Sequence, residues 1–380
     1  MRAAVARPLF WLSAALLAWT HVGYGLFLAV LARGREPAPG VAPLPGREPL
    51  VSLIIAAYRE ESVIAAKVAN ALALDWPRDR LEIIVAVDGN VDDTARRARD
   101  SGADVVLELP RGGKIPAQDA AVRAARGELL AFSDANALWE ADALRRLAGA
   151  FADPDVAYAC GQVTFVNDAG TNQEGVYWRY DLWQRRNESA LHSVTAGNGA
   201  IYAVRAPDYV PGDPPMGHDL SLPFQLVKRG RRAVYVPDAR ATEPMVRSIE
   251  GEWRRKRRMM NRAWRILRIS GIADPRGYPP LYAFMIASHR LLRYASPFLH
   301  VVALGGAAAM ARRPGQLAGR AALAGQLGLF GAAALGGRVR RRPLLIARYY
   351  VFTTASIAAG LYDHLRHGTP EAWEQAEGTR

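Results

Sequence analysis

Cysteine is all but missing from these 380 residues: Cys160 stands alone, which excludes an internal disulfide and any zinc site built on several thiolates. Lysine is almost as scarce. Of 49 basic residues only Lys67, Lys114, Lys228 and Lys256 are lysines, so the net charge of +13 left over 36 acids is an arginine charge. No Gly-x-Gly-x-x-Gly follows the first β-branched run, which ends Ala56-Ala57-Tyr58-Arg59-Glu60-Glu61. Without those glycines a backbone cannot close on a dinucleotide pyrophosphate, and a dehydrogenase is disfavoured. Gly112-Gly113-Lys114-Ile115 lacks the leading glycine and the following hydroxyl of a P-loop, which disfavours ATP hydrolysis. No helical histidine pair with a glutamate signals zinc, and His192, His289 and His300 read as structural or interfacial.

What is present divides sharply along the chain, and a mean hydropathy of −0.05 hides the division. Residues 8–31 carry no formal charge, and at about 1.5 Å per residue this run exceeds a hydrocarbon core of about 30 Å. It is also longer than the apolar part of a signal peptide, so it reads as a retained transmembrane anchor, with residues 1–36 as its unit. Residues 37–48, rich in proline and glycine, form a connector. Near the other end three apolar stretches, 295–311, 317–337 and 344–362, give about three further membrane helices within 295–362, followed by a tail at 363–380. Arg338 to Arg342 carry four arginines, which places that loop and the middle domain together on the cytoplasmic side.

Between these ends the pattern is α/β. Short β-branched runs at 51–57, 81–88, 104–109 and 128–134 alternate with helical stretches at 62–74, 92–101 and 115–125, the signature of a mostly parallel sheet. Runs that are apolar throughout imply strands buried on both faces. Ligands of such sheets bind beyond the carboxyl ends of the strands, where Tyr58 and Glu60, Asp88, and Asp134 with Asn136 fall. Asp88 suits a base or ribose hydrogen bond. Asp134-Ala135-Asn136 suits one Mg2+ or Mn2+ bridging two phosphates, an ion that keeps waters and phosphate oxygens and needs few protein ligands.

The ordered set Ala57-Tyr58-Arg59-Glu60-Glu61, Val87-Asp88-Gly89-Asn90, Gly113-Lys114, Asp134-Ala135-Asn136, Gly197-Asn198-Gly199-Ala200, Gly217-His218-Asp219 and Arg254 to Arg258 resembles the membrane-bound family 2 glycosyltransferases. These are inverting enzymes of the GT-A fold, polysaccharide-synthase-like, that use nucleotide-diphosphate sugars. The resemblance implies a GT-A domain over 49–252. It implies that Ala57, Tyr58, Glu60, Asp88, Lys114, Asp134 and Arg258 hold the nucleotide sugar, that Asp134 and Asn136 hold the metal, and that Asp219 is the catalytic base. On the acceptor side it points to Gly197 and Asn198. Three departures stand out: Asn136 replaces a second carboxylate, His218 stands where an acid often precedes the base, and the Gln-x-x-Arg-Trp element of processive synthases is reduced to Arg258.

The remaining features bear on partners. Eight basic residues between Trp253 and Arg268 alternate with apolar ones, fitting an interfacial amphipathic helix within 253–294, a phosphate clamp, or both. Trp178 and Tyr180, with Tyr177 and Trp183, offer a stacking surface for an acceptor sugar or anchors for packing and the membrane interface. The expectation is a bacterial inner-membrane glycosyltransferase that moves a sugar, UDP-sugars favoured, to a glycan or lipid-linked acceptor. Membrane lipids are partners and nucleic acid is not. The alternative is a non-enzymatic nucleotide-binding membrane scaffold or transporter component, for which a base such as Asp219 would be superfluous.

Overall fold

The computed structural model describes residues 3–37, 48–166, 175–213, 216–244, 249–313, 315–339 and 341–370. Most of the expected connector and the end of the tail lie outside the described residues.

One sheet of eight strands forms the middle of the molecule: β1 (Val51–Ala57), β2 (Leu81–Asp88), β3 (Val105–Leu109), β4 (Leu129–Asp134), β5 (Leu138–Trp139), β6 (Val156–Val166), β7 (Ile201–Arg205) and β8 (Arg232–Pro244), in the order β3-β2-β1-β4-β7-β6-β8-β5. The first four strands run parallel, β4 pairs antiparallel with β7, and β6 pairs parallel with β8. Every residue of β1 and β2 is buried, which explains why neither strand alternates in polarity. Ile54 and Ile84 face one core and Leu53 and Ile83 the other. Each such side chain contributes about 1.5–3 kcal/mol when fully buried. Because β1 has β2 on one side and β4 on the other, the chain leaves in opposite directions beyond Ala57, and a crevice opens at that switch point. The α/β expectation with a mostly parallel sheet is met.

Among the described residues three helices are long and apolar enough to cross a membrane: Val5–Leu31, Pro280–Ala311 and Arg342–His367. Leu317–Leu335 is also helical, but Arg320, Gln326 and its glycines dilute it and it stays outside that group. The second span begins at Pro280 rather than 295, because the polar residues that break the apolar run turn inward. His289 meets Glu188 at 2.7 Å, Arg290 Nε donates to Thr195 Oγ1 at 2.8 Å, and Arg293 donates to Asp181 at 3.1 Å. Tyr24, on the first span, donates to the same Glu188 at 2.6 Å. Glu188 is wholly buried; burial works to raise its pKa, but His289 and Arg290 outweigh this and hold it at about 2. The sheet domain is thus joined to two spans by a satisfied ionic cluster rather than by apolar packing alone.

The last span is tied to the helix Ile249–Ile269 at its carboxyl end: Asp363 pairs with Arg257, and Asn261 Nδ2 donates to the Gly368 carbonyl at 3.0 Å. The arginines expected to mark the domain's side of the membrane precede this span at its amino end.

Candidate active site

The first group of site residues gathers where β1, β2 and β3 end. Asp88 closes β2 and its carboxylate accepts the Gly112 N–H at 2.6 Å and the Gly113 N–H at 3.0 Å, two of the unsatisfied donors ahead of the helix Lys114–Ala124. Gly113 has φ 105°, a conformation that costs a residue with a Cβ, so the turn depends on glycine. Arg111 completes the set: its guanidinium pairs with Asp88 and lies over the Tyr58 ring, 3.3 Å from the centroid. Tyr58, Asp88 and the 111–113 loop are thereby one unit. Glu60 is buried beside it, its N–H donating to Thr94 Oγ1 at 2.9 Å. Ala57 lies fully buried at the end of β1, opposite Val87.

The second group lies at the end of β4, where Lys114 pairs with Asp134, both partly exposed. Lys67 supports this turn from below: it is buried, and its ammonium donates to the Ala137 carbonyl at 2.6 Å. Burial lowers its pKa to about 7, with Asp134 opposing. Asn136 follows Asp134 on the same turn, partly buried. Among the described residues no three His, Cys, Asp or Glu side chains gather as a closed metal cage would require. One carboxylate with a nearby amide oxygen fits a hard divalent ion that takes its other ligands from water and phosphate. Gly199 leaves that face open, since a Cβ there would stand 3.4 Å from Lys114 Nζ and 4.0 Å from Asp134 Oδ2.

The third group is built on the amino end of the helix His218–Lys228, whose first turn carries Asp219. The Asp219 carbonyl accepts the Gly197 N–H at 2.7 Å, and its carboxylate folds back so closely that a Cβ at Gly217 would meet Oδ1 at 2.4 Å. The turn from Gly197 to Gly199 therefore touches Asp219 at one end and the Lys114–Asp134 pair at the other. Asn198 holds that turn, donating to the Gly161 carbonyl at 2.5 Å and accepting the Ile201 N–H at 2.9 Å. His218 points the other way, into a cage of Phe132, Tyr202 and Tyr209. Burial and then Lys114 lower its pKa to about 3, so it is neutral at physiological pH.

Arg258 lies on the helix Ile249–Ile269, one turn before Arg262. Burial lowers the Arg262 pKa, Arg258 adds to that, and Asp219 opposes it, so Arg262 is within electrostatic reach of the third group. Trp178 and Tyr180 are used elsewhere. Trp178 packs edge-on against Phe165 and donates to the Val163 carbonyl at 3.0 Å, while the Tyr180 hydroxyl stands 2.5 Å from where a Cβ on Gly25 of the first span would be. Sequence reasoning gave no site role to Arg111 or Lys67, quoted Gly199 only as part of its motif and counted Arg262 only among the basic residues of 253–268. The position of Arg111, just past β3 and just before Gly112-Gly113-Lys114, was an available signal.

Residues 52–205 match the model of a family described as glycosyl transferase family 2. An N-acetylglucosaminyltransferase of Rhizobium sp. (strain N33) is 27% identical over 228 residues, 53% of this chain and 50% of that protein. A beta-monoglucosyldiacylglycerol synthase of Nostoc sp. (strain PCC 7120 / SAG 25.82 / UTEX 2576) is 28% identical over 200 residues, 48% of this chain and 42% of that one. The chain spans about half the length of the curated relatives it matches. Among solved structures, a mannosyltransferase from Pyrobaculum calidifontis in complex with GDP-Man and Mn2+ superposes with a TM-score of 0.71 at 24% identity, covering 94% of this chain and 99% of that one. That likeness is one of fold.

Proposed function

We propose, from the match of residues 52–205 to the glycosyl transferase family 2 model, that the chain is a membrane-bound inverting glycosyltransferase that uses a nucleotide-diphosphate sugar. The observation that carries this reading is the Gly197–Gly199 turn. It bears on Asp219 through a 2.7 Å hydrogen bond and on Lys114 and Asp134 through the space Gly199 leaves open. Inversion needs a base on the acceptor hydroxyl and cations on the departing diphosphate, a few ångströms apart and on opposite faces of one sugar carbon.

Asp219 takes the proton of the acceptor hydroxyl as that oxygen attacks. The leaving diphosphate gains negative charge, which Lys114 and the arginines Arg258 and Arg262 stabilise from fixed positions. Tyr58, Glu60, Asp88 and the 111–113 loop hold the nucleotide, and Ala57 sets the strand end they hang from. Asp134 with Asn136 would hold a divalent ion, Mg2+ or Mn2+, which when bound supplies further charge stabilisation on the diphosphate.

The three apolar spans favour an acceptor presented at the membrane, and the relative named for a monoglucosyldiacylglycerol product favours a lipid over a free glycan. UDP-sugars are the donors tried first. Arg33 and Arg35 after the first span, and Arg254 to Arg258 beside the domain, favour the cytoplasmic face of a bacterial inner membrane for the domain. The expected organisation stands as a proposal with its interfacial part shortened to end at Pro280.

The test is nucleoside diphosphate release by the detergent-purified chain across UDP-, GDP- and dTDP-sugars, with Mg2+ or Mn2+ and membrane lipid extract, beside Asp219→Asn. Metal-dependent release from one donor, reduced roughly 10²- to 10⁴-fold in the variant with donor binding kept, is the expected result. Silence across the panel with no donor bound would leave a non-enzymatic membrane protein.

A further inference from the structure

His218 is the residue in which this chain departs from the acid that often precedes the base in the resembling family, and its surroundings are fully specified. Tyr209 Oη lies 2.5 Å from Asp119 Oδ1 and 3.2 Å from His218 Nε2, and Tyr202 Oη lies 3.1 Å from His218 Nδ1. One assignment of protons satisfies all three distances. The Tyr209 phenol keeps its proton, because burial beside a carboxylate raises its pKa, and donates it to Asp119. Its oxygen is then free to accept from His218 Nε2–H. The lone pair of Nδ1 accepts the Tyr202 hydroxyl, so the imidazole is held as one neutral tautomer.

Aromatic rings close the cage. Phe132 stacks on Tyr202 at 4.7 Å and on Tyr209 at 5.8 Å, and Tyr209 meets the imidazole edge-on at 5.4 Å. A Cβ at Gly212 would stand 3.0 Å from His218 Nε2, so the chain after Tyr209 also lies against the ring. The elements joined in this way are those of the other site groups. Asp119 shares an 11-residue helix with Lys114, Phe132 precedes Asp134 by two residues on β4, and His218 is bonded through the backbone to Asp219.

We propose that His218, Tyr209 and Asp119 are positioning residues for Asp219: the hydrogen-bonded chain fixes the amino end of the base-bearing helix relative to the groups that hold the diphosphate. The inference rests on Asp219 being the base. It has a physical reason, since displacing a reacting group by about 1 Å can cost on the order of 10²-fold in rate. A caged neutral imidazole fixes the helix without adding charge beside the base.

The test uses the full-length protein, with the sugar nucleotide that supports diphosphate release and membrane lipid extract as acceptor. Tyr209→Phe removes one oxygen and keeps the ring stack. It is expected to lower kcat about tenfold or more while donor KM stays within twofold. His218→Leu should fall at least as far, and His218→Gln, which retains an N–H for Tyr209, should recover part of the loss. A Tyr209→Phe enzyme with wild-type kcat, or one whose whole defect is in donor KM, overturns the proposal. Asp219→Asn is measured in parallel to separate the two readings. If it is active, the assignment of the base fails and this inference with it; if it is inactive while Tyr209→Phe is normal, only the positioning role fails.

Discussion

The guanidinium of Arg111 lies flat against Tyr58, 3.3 Å from the ring centroid, and the same guanidinium is paired with the buried carboxylate of Asp88. One side chain therefore orders two of the residues assigned to the nucleotide. It draws on the chain's abundant cation, whose planar charge can stack and pair at once where a lysine could not.

Arg111→Ala removes both contacts and keeps the Gly112 and Gly113 N–H donors on Asp88. The stacking contributes about 0.5–2 kcal/mol, and the charged hydrogen bond adds to it. Donor KM should rise about tenfold with kcat changed far less, and Arg111→Lys should rescue little of the loss. Steady-state kinetics against sugar nucleotide would show this, and a kcat effect at unchanged KM would remove Arg111 from the nucleotide side.

Gly199 and Gly161 predict opposite outcomes for the same substitution. A methyl at Gly199 meets Lys114 Nζ at 3.4 Å, an ordinary contact, but it fills space beside Asp134. Gly199→Ala should fold with an unchanged melting midpoint and lose roughly tenfold or more in turnover. A methyl at Gly161 would stand 2.3 Å from the Ala239 carbonyl oxygen, inside the β6–β8 pairing, and nothing there can yield cheaply. Gly161→Ala should therefore express poorly. Normal turnover in Gly199→Ala would show that the open face beside Asp134 is not where the donor sits.

The strands and the acids at their ends were legible because both depend on local sequence. Strands buried on both faces read as apolar runs, and a parallel sheet puts its chemistry just past them. The charged seam between domain and spans was not legible. Asp181, Glu188, His289, Arg290 and Arg293 look like interruptions in polar or apolar stretches until the fold pairs them across about a hundred residues. For the same reason the second span was placed fifteen residues too late, at 295 instead of Pro280. Trp178 and Tyr180 were legible only as aromatic. Stacking on a sugar and packing on a strand or a membrane helix draw on the same side chains, and the choice between them is tertiary.

Two buried groups make the fold sensitive to acid in the same direction. His218 has its pKa lowered from 6.5 to about 3 by burial and Lys114, and Glu188 is held at about 2 instead of 4.5 by the cations around it. In both cases the unfolded chain takes up a proton before the native one does. The stability each provides is complete above its unfolded pKa and is lost as pH falls toward its native pKa. For His218 the window is about 6.5 down to 3, and for Glu188 about 4.5 down to 2. Within its window each group costs up to about 1.4 kcal/mol per pH unit. Chemical unfolding in detergent at pH 7, 6, 5 and 4 should show stability falling throughout and most steeply at the acid end. His218→Gln, which cannot titrate, should reduce the slope between pH 6 and 5, where the lowered His192 pKa still contributes, and leave the steeper acid end that Glu188 produces. A profile level from pH 7 to 4 would mean that water reaches the imidazole and that the cage around His218 is open in solution.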